Sequence, residues 1–195
     1  MRVTVEQIDR QCEEEPVGEK KLMQMMNVSS LSRAFKVYPL NDADADEILK
    51  LCQENTLYYR YCEAEPTKEQ VLCDLHVTPP GIGESRKHYV GFYREQELIA
   101  VMDLIDGYPR EDTAFIGFFM VSAAVQRHGI GSGIIGDTAA YLKKIGKAAI
   151  QLGIDQGNPQ STAFWKKNGF QVLKEVKRDG GIILLAQRTL MPAFP

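Results

Sequence analysis

Apolar and polar residues alternate over 34–40 (AFKVYPL), which predicts a first strand. Asn41 and Asp42 then open a helix ending near Asn55, with Ile48, Leu49 and Cys52 on its buried side and Asp44 with Glu47 as a capping-box pattern. Thr67 with Gln70 repeats that pattern ahead of Val71, Leu72 and Leu75, and Pro79-Pro80-Gly81 stops the second helix. Residues 88–94 and 98–105 read as two strands, with Glu95-Gln96-Glu97 as a polar hairpin connection. Residues 115–121 (FIGFFMV) are apolar in both alternating sets, the mark of a strand buried on both sides. From Ile130 the apolar positions change to helical spacing: Ile130, Ile134, Tyr141 and Ile145, with Ile135 and Leu142 beside them. A strand over 147–154 follows. In 158–170 (NPQSTAFWKKNGF), Asn158 is an N-cap, Pro159 takes the first helical position and Gly169 falls just past the end. Residues 170–176 and 182–188 form a last pair of strands around Asp179-Gly180-Gly181. The order is β α α β β β α β α β β, without an internal repeat.

Residues 1–33 differ from the rest. They carry an acidic run, Glu13 to Glu15, and a sulfur-rich apolar patch of Leu22, Met23, Met25 and Met26. They are expected to form an extension, flexible or helical, ahead of a domain over 34–195. The patch is a candidate contact for a second copy, so monomer and homodimer both stay open. At 195 residues, 44% hydrophobic and 25% charged, the chain has the composition of an ordinary globular domain. A net charge of −3 argues against nucleic acid as a partner, and no apolar run approaches a membrane span. Cys12, Cys52, Cys62 and Cys73 form no CxxC pair. Buried free thiols in a reducing cytoplasm are the expectation, with no metal site.

Candidate chemistry concentrates at the glycine-rich turn between the strand at 115–121 and the next helix. Glycines at a helix start leave backbone N–H groups free to face a ligand, and the helix dipole favours an anion there, so a phosphate is the natural guest. The alternative is a tight turn that needs glycine for its backbone angles. Two motifs overlap in the turn. Gly131-Ser132-Gly133-Ile134-Ile135-Gly136 is a literal GxGxxG, and Asp155 follows after a strand, where a dinucleotide-binding oxidoreductase keeps its ribose acid. Against that NAD reading, the motif does not directly follow its strand, and too little chain remains for a doubly wound sheet.

The earlier glycines give the other motif. Gln126-Arg127-His128-Gly129-Ile130-Gly131 resembles the (Q/R)-x-x-G-x-(G/A) pyrophosphate loop of the GNAT superfamily of N-acetyltransferases. The element order over residues 34–190 is similar to that family's, and NPQSTAFWKKNGF resembles its last core motif. The resemblance implies an α/β GNAT fold, with a mixed, mostly antiparallel sheet flanked by helices and split at the cofactor. It also implies acetyl-CoA as co-substrate and transfer of its acetyl group to a primary amine by direct attack in a ternary complex. The pantetheine arm would run along Phe119, Met120 and Val121, with the Val121 N–H as oxyanion donor. The loop Gln126, Arg127, His128, Gly129, Ile130, Gly131 and Ser132 would hold the pyrophosphate, and Asn158, Phe164 and Trp165 would complete the cofactor site. Gly117, inside the strand, suggests a bulge or close backbone approach.

The proton-transfer groups are less legible. Where many relatives place an acidic tyrosine, this chain has Trp165, whose indole N–H has no useful acidity. Tyr108 or a water is left as the acid. Asp103, a charge within the apolar strand VMDLI, is the candidate base; a solvent-facing or ion-paired aspartate is the alternative. Glu111 and Asp112 lie at the start of the central strand, near where some members of the resembled family keep a catalytic Glu, but they also read as plain turn residues; His76 and His88 are read as structural or exposed. Tyr58, Tyr59 and Tyr61 are candidates to line the acceptor pocket, for a small-molecule or peptide amine. A second class of function is a non-catalytic acyl-CoA-binding sensor.

Overall fold

The computed structural model of the chain describes residues 26–60, 65–178 and 181–190. Strands β1 (Lys36–Pro39), β2 (Lys87–Arg94), β3 (Glu97–Asp106), β4 (Thr113–Val121), β5 (Ala149–Asp155), β6 (Gln171–Arg178) and β7 (Gly181–Thr189) form one sheet. Its order is β1-β2-β3-β4-β5-β7-β6. Every neighbouring pair is antiparallel except β4 and β5, which run parallel.

That exception positions the site. β4 pairs with β5 only from Thr113↔Ala149 to Ile116↔Leu152. Beyond that point β4 stays with β3 as far as Val121↔Ala100, and β5 stays with β7 as far as Asp155↔Ile183. The sheet therefore splits, and each of the two strands has one edge without a strand partner among the described residues. Just past the split the β3–β4 register slips between Asp103 and Leu104, so Gly117 is an extra residue on β4, a β-bulge. The bulge resets the alternation. Ile116 joins the core on one face, and Phe118 and Met120 join the core on the other.

Helices cover both faces. α1 (Ala45–Glu54), the single turn α2 (Thr56–Tyr59) and α3 (Lys68–His76) are on one side. Ile48, Leu51, Val71 and Leu75 pack there against Val101, Phe118 and Met120. On the other side, Ile134, Ile135 and Leu142 of α4 (Ile130–Lys144) and Trp165 of α5 (Pro159–Lys167) pack with Ile116, Ile150 and Leu152. Capping chemistry fixes the helix ends. The Thr67 hydroxyl accepts from Gln70 N–H at 3.2 Å, and Asn158 Oδ1 accepts from Ser161 N–H at 2.9 Å. Gly169 takes φ 84° just past α5, while Phe170 N–H bonds the Trp165 carbonyl.

Several details differ from the sequence reading. The first capping box is Asn41 with Asp44, because a 3-10 turn at Asp42–Asp44 precedes α1. Tyr58 and Tyr59 lie on a helical turn, not in a loop. The chain also joins the core ahead of residue 34. A 3-10 turn at Val28–Leu31 buries Leu31 completely, Thr138 donates to the Leu31 carbonyl, and Arg33 N–H and Nε both bond Asp137 on α4. The expected acidic run, Leu22, Met23 and Met25, and also Cys12, Cys62 and Tyr61, lie outside the described residues. Cys52 is buried as expected, but Cys73 is exposed, because it lies on the outer side of α3.

Candidate active site

The split between β4 and β5 forms the centre of the site. Within β4 past the divergence, Phe118 and Met120 are buried, whereas Gly117, Phe119 and Val121 are half-buried. The hydrogen-bond ladder gives the direction of their backbone groups. Ser122 N–H bonds the Ile99 carbonyl at 2.8 Å, which makes Ser122–Ile99 a hydrogen-bonded pair. Antiparallel pairs alternate, so Val101–Met120 is bonded as well, while Ala100–Val121 and Met102–Phe119 are not. The N–H groups of Phe119 and Val121 therefore turn away from β3, towards the gap. Met120, expected along the cofactor, instead faces β3 with its backbone and the α1–α3 core with its side chain.

The glycine-rich loop stands at the wide end of the gap. Arg127 takes φ 65° and Gly129 takes φ 80°, left-handed values on either side of His128. Such alternation turns backbone N–H groups into a concave anion cradle. α4 starts immediately after, with Gly129 as an N-cap that supplies no side-chain hydrogen bond. Gly133 N–H bonds the Gly129 carbonyl, so Ile130, Gly131 and Ser132 carry the first amides of the helix. A Cβ on Gly131 would stand 3.2 Å from the Phe164 ring and 3.3 Å from Val121 Cγ2, so glycine allows the loop to close on β4. Arg127 and His128 are on the solvent side of the loop. An open groove of about 550 Å³ continues from the loop along α4, lined by Arg33, Phe35, His128, Ile130, Gly133 and Gly136.

Gln126 has a role the sequence did not indicate. Its Nε2 donates to the Val121 carbonyl at 2.9 Å and to Asn55 Oδ1, tying the loop to the end of β4 and to the α1–α2 junction. Its side chain is a strut between elements and does not face outward to an anion. Asn158 is likewise buried, with its oxygen used as the α5 cap. Trp165 is buried among Phe119, Phe164 and Phe170, with ring centroids 5.0–6.0 Å apart. It packs as core, and Phe164 stacks on Phe119 beside the gap.

Asp103 lies beneath the bulge, its Oδ1 2.8 Å from Lys87 Nζ, with both side chains at most 10% exposed. A Cβ on Gly117 would stand 2.6 Å from Asp103 Oδ2. The unexpected strand charge is thus an ion pair packed against the bulge. Tyr108 is buried at the β3–β4 hairpin, packed edge-on against Phe115 on the closed side of the split. Tyr58 stands edge-on to both Tyr59 and Phe118, which puts this pair over the α1–α3 face of β4. Lys87 pairs with Asp103 and Arg178 with Asp155, two of the strand aspartates, and the sequence reading missed both partners. Their only signal was a charge at the end of an alternating run.

The overlapping GxGxxG does not form a dinucleotide turn. Gly131, Gly133 and Gly136 all lie inside α4, and the sheet is mixed, so the NAD reading is set aside. Among the described residues no group of three or more His, Cys, Asp or Glu could hold a metal ion, and no helix is long and apolar enough to cross a membrane.

Residues 48–170 match the acetyltransferase (GNAT) family, and the chain belongs to that family. An acetyltransferase from Thermus thermophilus has a similar structure, with TM-score 0.66 and 23% identity over 80% of this chain and 97% of that one. The ribosomal-protein-S18-alanine N-acetyltransferase of Escherichia coli gives 0.60 and 16% over 82% and 96%. The PaiA N-acetyltransferase of Thermoplasma acidophilum, in complex with coenzyme A, gives 0.59 and 17% over 80% and 98%. Comparison with curated proteins finds no match. Family and fold agree on an acetyl-CoA-dependent N-acetyltransferase.

Proposed function

We propose that the protein moves the acetyl group of acetyl-CoA to a primary amine by direct attack within a ternary complex. The observation that carries this reading is the split between β4 and β5, with an uncapped helix N-terminus and anion cradle at its wide end. The pyrophosphate would be held by the N–H groups of Gly129, Ile130, Gly131 and Ser132, with Arg127 and His128 beside it, and the nucleotide end by the groove next to Arg33. The pantetheine arm would lie against Phe119, Val121 and Phe164. Val121 N–H and Phe119 N–H share an orientation towards the gap; Phe119 is two residues nearer the closed end, where the acyl group arrives. We assign the thioester oxygen to Phe119 N–H and the pantetheine amide to Val121, expected earlier as the oxyanion donor. Preorganised donors of this kind stabilise the tetrahedral oxyanion by about 2.7–4 kcal/mol.

Asp103 in this reading shapes the bulge through its pair with Lys87. Tyr58 and Tyr59 flank the acceptor's approach on the α1–α3 face, opposite α4. The buried Trp165 favours a second reading, an acyl-CoA sensor without turnover. Thermal unfolding with acetyl-CoA, CoA and NAD, followed by thiol release with a panel of amines, separates the two. A ligand at a hundred times its Kd adds about 2.7 kcal/mol, a rise of roughly 5–10 °C for a chain of this size. A rise with acetyl-CoA plus thiol release with an amine supports transfer. A rise without release from any amine supports the sensor.

A further inference from the structure

We infer that Asp155 is the carboxylate that receives the acceptor, binding its ammonium across the gap from the 119–121 stretch of β4 and taking the proton that must leave before nitrogen can attack. This rests on the acetyl-transfer reading above.

The register supplies the placement. Beyond Ile116↔Leu152, Gly117 is the extra residue of the bulge, so counting on from that pair puts Gly153 level with Phe118 and Asp155 level with Met120 on the opposite wall, between the Phe119 and Val121 N–H groups. Side-chain direction follows from β7. Asp155 pairs with Ile183, which pairs in turn with Val176, and Val176 packs with Phe115 and Leu185. Directly opposed residues share a face, so Asp155 lies on the α1–α3 side of the sheet, the side of Phe118 and Tyr58. Ile154 points the other way, into the core under α4 and α5. Residues 117–121 and 153–155 line the gap, and Asp155 is the carboxylate among them.

Arg178 of β6 reaches across β7 to bond Asp155 Oδ1 at 2.5 Å, with its own side chain 5% exposed while that of Asp155 is 20% exposed. The guanidinium thus holds one carboxylate oxygen, and the Asp155 side chain keeps part of its surface exposed. Burial raises the Asp155 carboxyl above the usual carboxylate range, against the opposing pull of Arg178. That direction suits a proton acceptor. Asp103, by contrast, stands on β3 behind β4 and is bound to Lys87.

In the transfer step the acceptor ammonium gives one proton to the Asp155 carboxylate. The nitrogen lone pair forms the C–N bond to the thioester carbon, and the carbonyl pair moves onto the oxygen held by the backbone N–H. Collapse re-forms the carbonyl and breaks the C–S bond, with the electron pair leaving on sulfur. The second nitrogen proton passes through solvent to that thiolate, and Asp155 returns its proton to water.

The test compares wild type, Asp155→Asn and Asp155→Glu at pH 7.5, with two probe amines and acetyl-CoA affinity by calorimetry. Butylamine is protonated at that pH and needs the base; hydroxylamine is already neutral and does not. Asp155→Asn should keep its acetyl-CoA affinity within about twofold and lose about 10²- to 10⁴-fold in kcat/KM for butylamine. Its loss for hydroxylamine should stay within about threefold. Asp155→Glu, which keeps a carboxylate for Arg178, should recover at least about tenfold of the butylamine rate. Equal losses for both amines, or an unchanged butylamine rate in Asp155→Asn, would overturn the assignment. Wild-type enzyme that binds acetyl-CoA yet acetylates neither amine would overturn the transfer reading as well.

Discussion

A methyl group added at Gly117 would stand 2.6 Å from Asp103 Oδ2 and 3.3 Å from Asp103 Cγ. The carboxylate cannot simply swing aside, because its other oxygen is 2.8 Å from Lys87 Nζ in a buried pair. Overpacking of this kind costs about 1–3 kcal/mol when neighbours yield together, and separating a buried pair costs about 3–5 kcal/mol. Shifting the pair as a unit is the less costly response, so the lower range applies to Gly117→Ala. At about 2–4 °C per kcal/mol for a chain of this length, the midpoint should fall by roughly 2–12 °C. The same substitution in a Lys87→Met/Asp103→Ala background meets neither the oxygen nor the pair, and should cost less than about 0.5 kcal/mol. Denaturant unfolding of the four proteins yields the coupling energy directly. Equal destabilisation in both backgrounds would refute this account of the bulge, and so would no loss in the wild-type background.

Gln126→Ala removes the bonds to the Val121 carbonyl and Asn55, and should destabilise by about 1–3 kcal/mol while weakening acetyl-CoA binding in calorimetry. Asn158→Ala loses the α5 cap and should cost about 0.5–2 kcal/mol in urea unfolding. For Asp137, burial works to raise the carboxyl, but the Arg33 backbone and side-chain bonds outweigh it and hold it below the usual carboxylate range. A depressed folded-state value gives stability above the unfolded value near 3.9, lost as pH falls through the lower folded one. Asp137→Asn should therefore be less stable than wild type at pH 7, and the difference in midpoint should shrink as pH falls below about 4.

The parts of the fold that local chemistry decides were legible in the sequence. Asn158, Pro159 and Gly169 bound α5 because cap and turn residues act within a few positions of themselves. The helical spacing from Ile130 located the start of α4 for the same reason. The two-faced apolar run at 115–121 correctly marked a central strand. It could not show that one edge of that strand opens after Ile116, because strand divergence belongs to the pairing of two distant segments. Phe119 and Val121 are apolar whether a neighbouring strand or a ligand covers them. The same limit hid the partners of the charges. Lys87 meets Asp103, and Arg178 meets Asp155, only once β2 lies on β3 and β6 lies on β7.

Asp155 illustrates how a correct residue can be noticed for the wrong chemistry. In the sequence it attracted attention as the acid following GxGxxG, a spacing that requires those glycines to form a turn. They form the first turns of a helix, so that role is lost, yet the position at the end of a strand beside a glycine-rich helix start is real. A parallel strand pair joined through that helix brings the end of β5 alongside the end of β4. In a dinucleotide fold the acid there meets a ribose. Here β4 and β5 have separated by that point, so the carboxylate stands beside the gap between them. Gln126 and Asn55 link the loop on one side of the gap to the α1–α2 junction on the other. The glycine loop, the backbone donors of β4 and Asp155 all follow from one event, the parting of β4 from β5 after Ile116.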